Sequence, residues 1–193
     1  MVLTALTAAI GIAAQAQDYH RVTVYVRDSA SVPVAVKLRA KLMAGAMFSR
    51  IGIQIDWRTG EPSLRSPDSA MAIELVTNTS SALMPGAFAY AMPYEGVHIQ
   101  VFYDRLTSSS TRAELLAHVL VHEITHILEG VDCHSESGVM KAHWTEEEVE
   151  MMRSKALPFA EEDVIRIRYG KWGDRSRESR ALAAGGLSAQ LSM

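Results

Sequence analysis

The stretch Leu115-Leu116-Ala117-His118-Val119-Leu120-Val121-His122-Glu123-Ile124-Thr125-His126, with Gly130, His134 and Met140 after it, decides the reading of this chain. It runs into His122 without a Gly or Pro, which predicts a helix over residues 112–129. On a helix, positions i and i+4 share a face. His122 and His126 can therefore direct ring nitrogens at one point. Zinc accepts neutral imidazole at roughly 2.0–2.1 Å and prefers tetrahedral sites. Two histidines leave room for a third protein ligand and a water. Glu123 is placed to reach that water as general base. A metal there lowers the pKa of the water and polarises a carbonyl, which is the chemistry of amide hydrolysis.

Gly130 is a natural stop for that helix, because glycine tolerates the left-handed C-cap conformation. His134 lies just past the stop, where a chain that has turned back presents it to the metal. It is the favoured third ligand. Glu146, twenty residues beyond His126 at the start of a predicted helix, is the main rival, as in gluzincin-type proteases such as thermolysin. His143 and Cys133 are weaker rivals. Cys133 is the single cysteine, which allows no intramolecular disulfide, and its ordinary reading is a small buried loop residue.

The run His122-Glu123-x-x-His126-x-x-x-Gly130-x-x-x-His134, then Ser137-Gly138-Val139-Met140, resembles a metzincin-type zinc metalloprotease. The usual spacing there has two residues before the glycine and two after it, whereas this chain has three and three. With Lys141-Ala142-His143-Trp144 included, the stretch is more similar to uncharacterised bacterial proteins of metzincin-like kind than to a named peptidase family. The resemblance implies an α+β, metzincin-like fold. That fold has a mixed twisted sheet, an edge strand over the cleft, a backing helix, an active-site helix and a small, mostly helical C-terminal subdomain. It implies Zn2+ on His122, His126 and His134, Glu123 as the catalytic base, Met140 as a floor beneath the metal, and a peptide or protein substrate cut internally. The competing readings are a gluzincin-type protease using Glu146, and a non-catalytic zinc-containing binding domain. A fourth protein ligand such as Cys133 or His143 would favour the latter.

The rest of the chain fits a single catalytic domain over residues 17–173. Arg21-Val22-Thr23-Val24-Tyr25-Val26 alternates at period two and reads as a strand. Residues 33–50 read as a helix whose apolar face is Val34, Leu38 and Leu42, flanked by Val36, Met43 and Met47. Lys37 and Lys41 form a solvated stripe. Residues 51–57, 71–76 and 97–103 are further strands. Residues 84–93, apolar and bracketed by prolines, read as an edge strand, with Gly86 to Met92 along the substrate channel. An exposed edge offers unpaired backbone groups to an extended peptide. Tyr90 and Tyr94 are candidate oxyanion donors. Thr145 caps a helix that starts on three glutamates, and residues 160–168 form a last helix. His118 reads as a packing or polar contact, and His98 and Glu129 as surface residues.

The 193-residue chain carries 48% hydrophobic residues, 21% charged residues and a net charge of −3. These values suit a globular domain and give no nucleic-acid footprint. Residues 1–16 hold no charged side chain and end in Ala14-Gln15-Ala16, which reads as a signal peptide and predicts a secreted or periplasmic protein. No later stretch is long and apolar enough to span a membrane. Residues 174–193 read as a disordered tail.

Overall fold

The computed structural model describes residues 20–63, 70–77, 86–91, 97–107 and 110–170. The proposed leader, the proposed tail, Met92 and Tyr94 lie outside the described residues. The elements in order are β1 (His20–Asp28), α1 (Val34–Ser49), β2 (Ile53–Thr59), β3 (Met71–Val76), β4 (Ala89–Ala91), β5 (His98–Phe102), α2 (Arg112–Glu129), α3 (Glu146–Met151) and α4 (Glu161–Tyr169). Short 3-10 turns sit at Tyr103–Arg105 and Gly138–Met140.

The five strands form one sheet in the order β2-β1-β3-β5-β4. β1 pairs in parallel with β2 and β3, and β3 with β5. β4 pairs antiparallel to β5, with Ala89 opposite Val101 and Ala91 opposite Ile99. The sheet is therefore mixed and β4 is its edge, as the proline-bracketed segment predicts. Alternation at period two explains the faces. Val22, Val24 and Val26 of β1, and Met71, Ile73 and Leu75 of β3, all point into the core. Tyr103 leaves β5 for a 3-10 turn, and Ile51 and Gly52 belong to the turn after α1 rather than to β2.

α1 has the predicted limits but turns a different face inward. Val34, Leu38 and Leu42 are 76%, 58% and 66% exposed, while Ala40, Ala44, Met47 and Phe48 are buried. Both stripes have helical spacing, so periodicity alone does not choose between them. The buried stripe sets two alanines where α1 packs along α2 and places Phe48 against Phe159, ring centroids 5.5 Å apart. Lys37 pairs with Asp28, and Lys41 lies 5.8 Å over the Trp57 ring, so these lysines are more engaged than a solvated stripe.

α2 is buried from Ala113 to Glu129. It packs against α1, β4, β5, the Gly138–Met140 turn and α4. A helix covered on all sides carries apolar residues all round, as Leu115, Leu116, Val119, Leu120, Val121, Ile124, Ile127 and Leu128 do. Its polar residues then need specific reasons to be there. No described helix is long and apolar enough to cross a membrane.

Candidate metal centre

α2 ends at Gly130, whose φ of +73° is left-handed and whose N–H donates to the His126 carbonyl at 2.9 Å. This glycine cap reverses the chain. The four residues after it bring His134 back to the helix. His122, His126 and His134 each then offer a ring nitrogen within 4.8 Å of the others. The ring centroids are 4.7 Å apart for His122 and His126, 5.2 Å for His122 and His134, and 4.9 Å for His126 and His134.

The first two rings are oriented from behind. His122 Nδ1 lies 2.9 Å from the Val139 carbonyl and His126 Nδ1 lies 3.3 Å from the Val131 carbonyl. A carbonyl only accepts, so each Nδ1 carries the proton and each Nε2 presents a lone pair. The two Nε2 atoms face each other at 3.1 Å. Two lone pairs so close repel unless a cation lies between them. Nitrogens at roughly 2.0–2.1 Å from one tetrahedral zinc stand about 3.3 Å apart. The donor set therefore fits zinc. Its electrostatics fit as well: burial, then His126, pushes His122 down to about 3, and burial, then His134, lowers His126. Neutral imidazoles are the form that binds metal.

Glu123 is buried beside the histidines. Burial, with the Asp132 carboxylate adding, pushes it up to about 8, against a backbone N–H bond from Ala91. Together these groups line a cavity of about 500 Å³. One wall is Gly86 to Ala91. The floor is Val119, His122, Glu123 and His126. The far wall is Asp132, His134 and the run Lys141, Ala142, His143 and Trp144.

The rivals stand elsewhere. Glu146 is exposed in the first turn of α3, whose Thr145–Glu148 capping box explains the local sequence. His143 is an exposed cavity-wall residue outside the three-histidine group. Cys133 is half-exposed rather than buried, with Sγ 3.9 Å from the His134 carbonyl oxygen. Among the described residues, no fourth protein ligand joins the group. Met140 is fully buried in the turn that carries the Val139 carbonyl. Tyr90 lines the cavity and is partly exposed. His98 is exposed and outside the cavity. His118 is a buried polar contact: Nδ1 donates to the Glu114 carbonyl at 2.7 Å and Nε2 accepts from the Leu157 N–H at 3.0 Å.

Sequence reasoning missed several neighbours. Asp132 and Lys141 gave no signal beyond proximity to the motif. Trp144 packs edge-on against His122, ring centroids 5.7 Å apart. Glu129, read as surface, is buried and paired with Arg166 at 3.2 Å. That partner lies in α4, beyond any local pattern.

No protein-family model matches the sequence, and no curated protein matches it. Solved structures do. Archaemetzincin from Methanopyrus kandleri superposes with a TM-score of 0.53 at 11% identity, over 81% of this chain and 97% of that one. A zinc-dependent peptidase from Methanocorpusculum labreanum gives a TM-score of 0.55 at 11% identity, over 75% of this chain and 99% of that one. At such identity the likeness is one of fold, and the chain shares the fold of these two proteins.

Proposed function

We propose that the protein is a zinc-dependent peptidase that cuts peptide bonds internally, with His122, His126 and His134 holding the metal and Glu123 as general base. The observation that carries this reading is the convergence of three ring nitrogens beside a buried carboxylate on the floor of a 500 Å³ cleft. The archaemetzincin and the zinc-dependent peptidase that share the fold support it. Zinc bound by these histidines supplies Lewis acidity to a carbonyl and makes a water easier to deprotonate.

The chain's own residues do the rest. The edge of β4 offers backbone groups to an extended peptide, laying it across the floor of the cleft. Glu123, buried beside the histidines, takes a proton from the attacking water and passes it to the leaving amine. A carboxylate with a raised proton affinity suits both halves of that transfer. Among the described residues three protein ligands converge, whereas closed structural zinc sites take four.

A peptide library incubated with the zinc-loaded chain should be cut at internal bonds. A zinc chelator should stop cleavage, and added zinc should restore it. Cleavage that continues unchanged in chelator would overturn the metal-dependent reading. Release of terminal residues alone would overturn the endopeptidase part.

A further inference from the structure

The third histidine lacks what the other two have. His122 and His126 are each fixed at Nδ1 by a backbone carbonyl. Among the described residues, His134 has no hydrogen bond at either ring nitrogen. Its ring touches only the other two histidine rings among the contacts described above, so its backbone carries much of its placement, and the next residue, Ser135, is held from two sides. The Ser135 N–H donates to the Met140 carbonyl at 2.9 Å. The Ser135 hydroxyl donates to Asp163 Oδ1 and accepts from Arg166 Nη2 at 2.8 Å. Arg166 also donates to Asp163 Oδ1 at 2.5 Å and, through Nε, to Glu129 Oε1 at 3.2 Å. Asp163 Oδ2 accepts from the Ala160 N–H at 2.8 Å. The Asp163 and Glu129 side chains are fully buried.

The network joins three pieces of chain: the end of α2, the loop that carries His134, and α4. The segment before α4 grips the same region. The Val139 N–H donates to the Pro158 carbonyl at 2.8 Å, and the Val139 carbonyl is the one that orients His122. A Cβ at Gly138 would lie 2.3 Å from the Pro158 oxygen, and one at Gly170 would lie 2.8 Å from the Glu129 oxygen. Little slack exists between this segment and the ligand-bearing turns.

The ordinary role for such a network is to staple α4 to the core. Apolar burial of Leu157 and Ile167 already serves that purpose. A buried ionic cluster is a poor staple, since desolvation can exceed the Coulombic gain. What it supplies is fixed geometry, because charge-assisted hydrogen bonds are directional.

We propose that the buried Glu129–Arg166–Asp163–Ser135 network is a positioning device for His134, setting the geometry at which the third ring meets the other two. The inference rests on the zinc-site reading above.

The test uses the full chain and three readouts: zinc affinity by competition with a chromophoric chelator, the ligand-field spectrum of the Co2+-substituted protein, and apo-protein melting. Arg166→Ala and Asp163→Asn should weaken zinc binding, by up to the about 10–100-fold that loss of a ligand's direct outer partner gives, and should alter the Co2+ spectrum. Ser135→Ala, which removes one hydroxyl and leaves α4 in place, should move both in the same direction. Ile167→Ala, buried in α4 but outside the network, should lower the melting temperature and leave zinc affinity and spectrum unchanged. Should Arg166→Ala not fold, Ser135→Ala decides. Network variants that melt lower yet keep native zinc affinity and spectrum would overturn the proposal alone. A native chain that binds no zinc would overturn the zinc-site reading and this proposal together.

Discussion

Glu123→Gln is expected to lower kcat/KM for peptide hydrolysis by about 10²–10⁴-fold, the usual worth of a positioned general acid–base group, without loss of zinc. Glutamine has the shape of glutamate, and its carbonyl oxygen can still accept from the Ala91 N–H. It cannot take a proton. The loss should fall equally on kcat and kcat/KM, because the interaction removed exists only in the transition state. Zinc should stay, because Glu123 is not in the group of three converging donors. Full activity in this variant would remove Glu123 from the mechanism. Activity and zinc lost together would move Glu123 into the metal shell.

Phe48→Ala is expected to destabilise the fold by about 3–5 kcal/mol, whereas Leu38→Ala should stay within about 0.5 kcal/mol. Phe48 is among the largest fully buried side chains and packs against Phe159, just ahead of α4. Leu38 is more than half exposed. Urea unfolding of the two variants measures the contrast directly as a shift in midpoint at constant m. Equal losses would mean that the leucine stripe of α1 is covered in solution. A larger loss for Leu38 would reverse the assignment of the helix faces.

That contrast shows where sequence reasoning stops. The limits of α1 follow from local propensity, and Val34–Ser49 matches the predicted span closely. Its buried face does not follow, because Val34, Leu38 and Leu42 repeat at the same spacing as Ala40, Ala44 and Phe48. Leucine is the more apolar residue, but alanine lets α1 approach α2. That choice belongs to the tertiary contact and is invisible to composition. The same division runs through the site. His122, Glu123 and His126 are legible together because one helix fixes their mutual geometry. Gly130 is legible as a turn because its left-handed φ suits glycine. Which residue arrives after the turn is not, since Glu146, His143 and Cys133 all lie within reach in sequence. The folded chain brings His134 to the pair and leaves the others outside the group.

Glu129 marks the other limit. A glutamate at a helix end is by default a surface residue. Its burial depends on Arg166, 37 residues later, and on Asp163 and Ser135 gathering at the same point. No periodicity links these positions. The order of the strands was equally out of reach: β1 lies between β2 and β3, so sequence neighbours are not sheet neighbours throughout. The edge position of β4 was legible, because prolines flank a short run that needs hydrogen bonds on one side only.

The most direct test of the zinc-site reading is the metal content of purified protein lacking residues 1–16, compared among the native chain, His134→Ala and Glu146→Ala. The reading predicts about one zinc per chain in the native protein and in Glu146→Ala, and loss of zinc in His134→Ala, consistent with three-ligand catalytic sites. Zinc lost in Glu146→Ala and kept in His134→Ala would contradict it, and so would a native chain that carries no zinc.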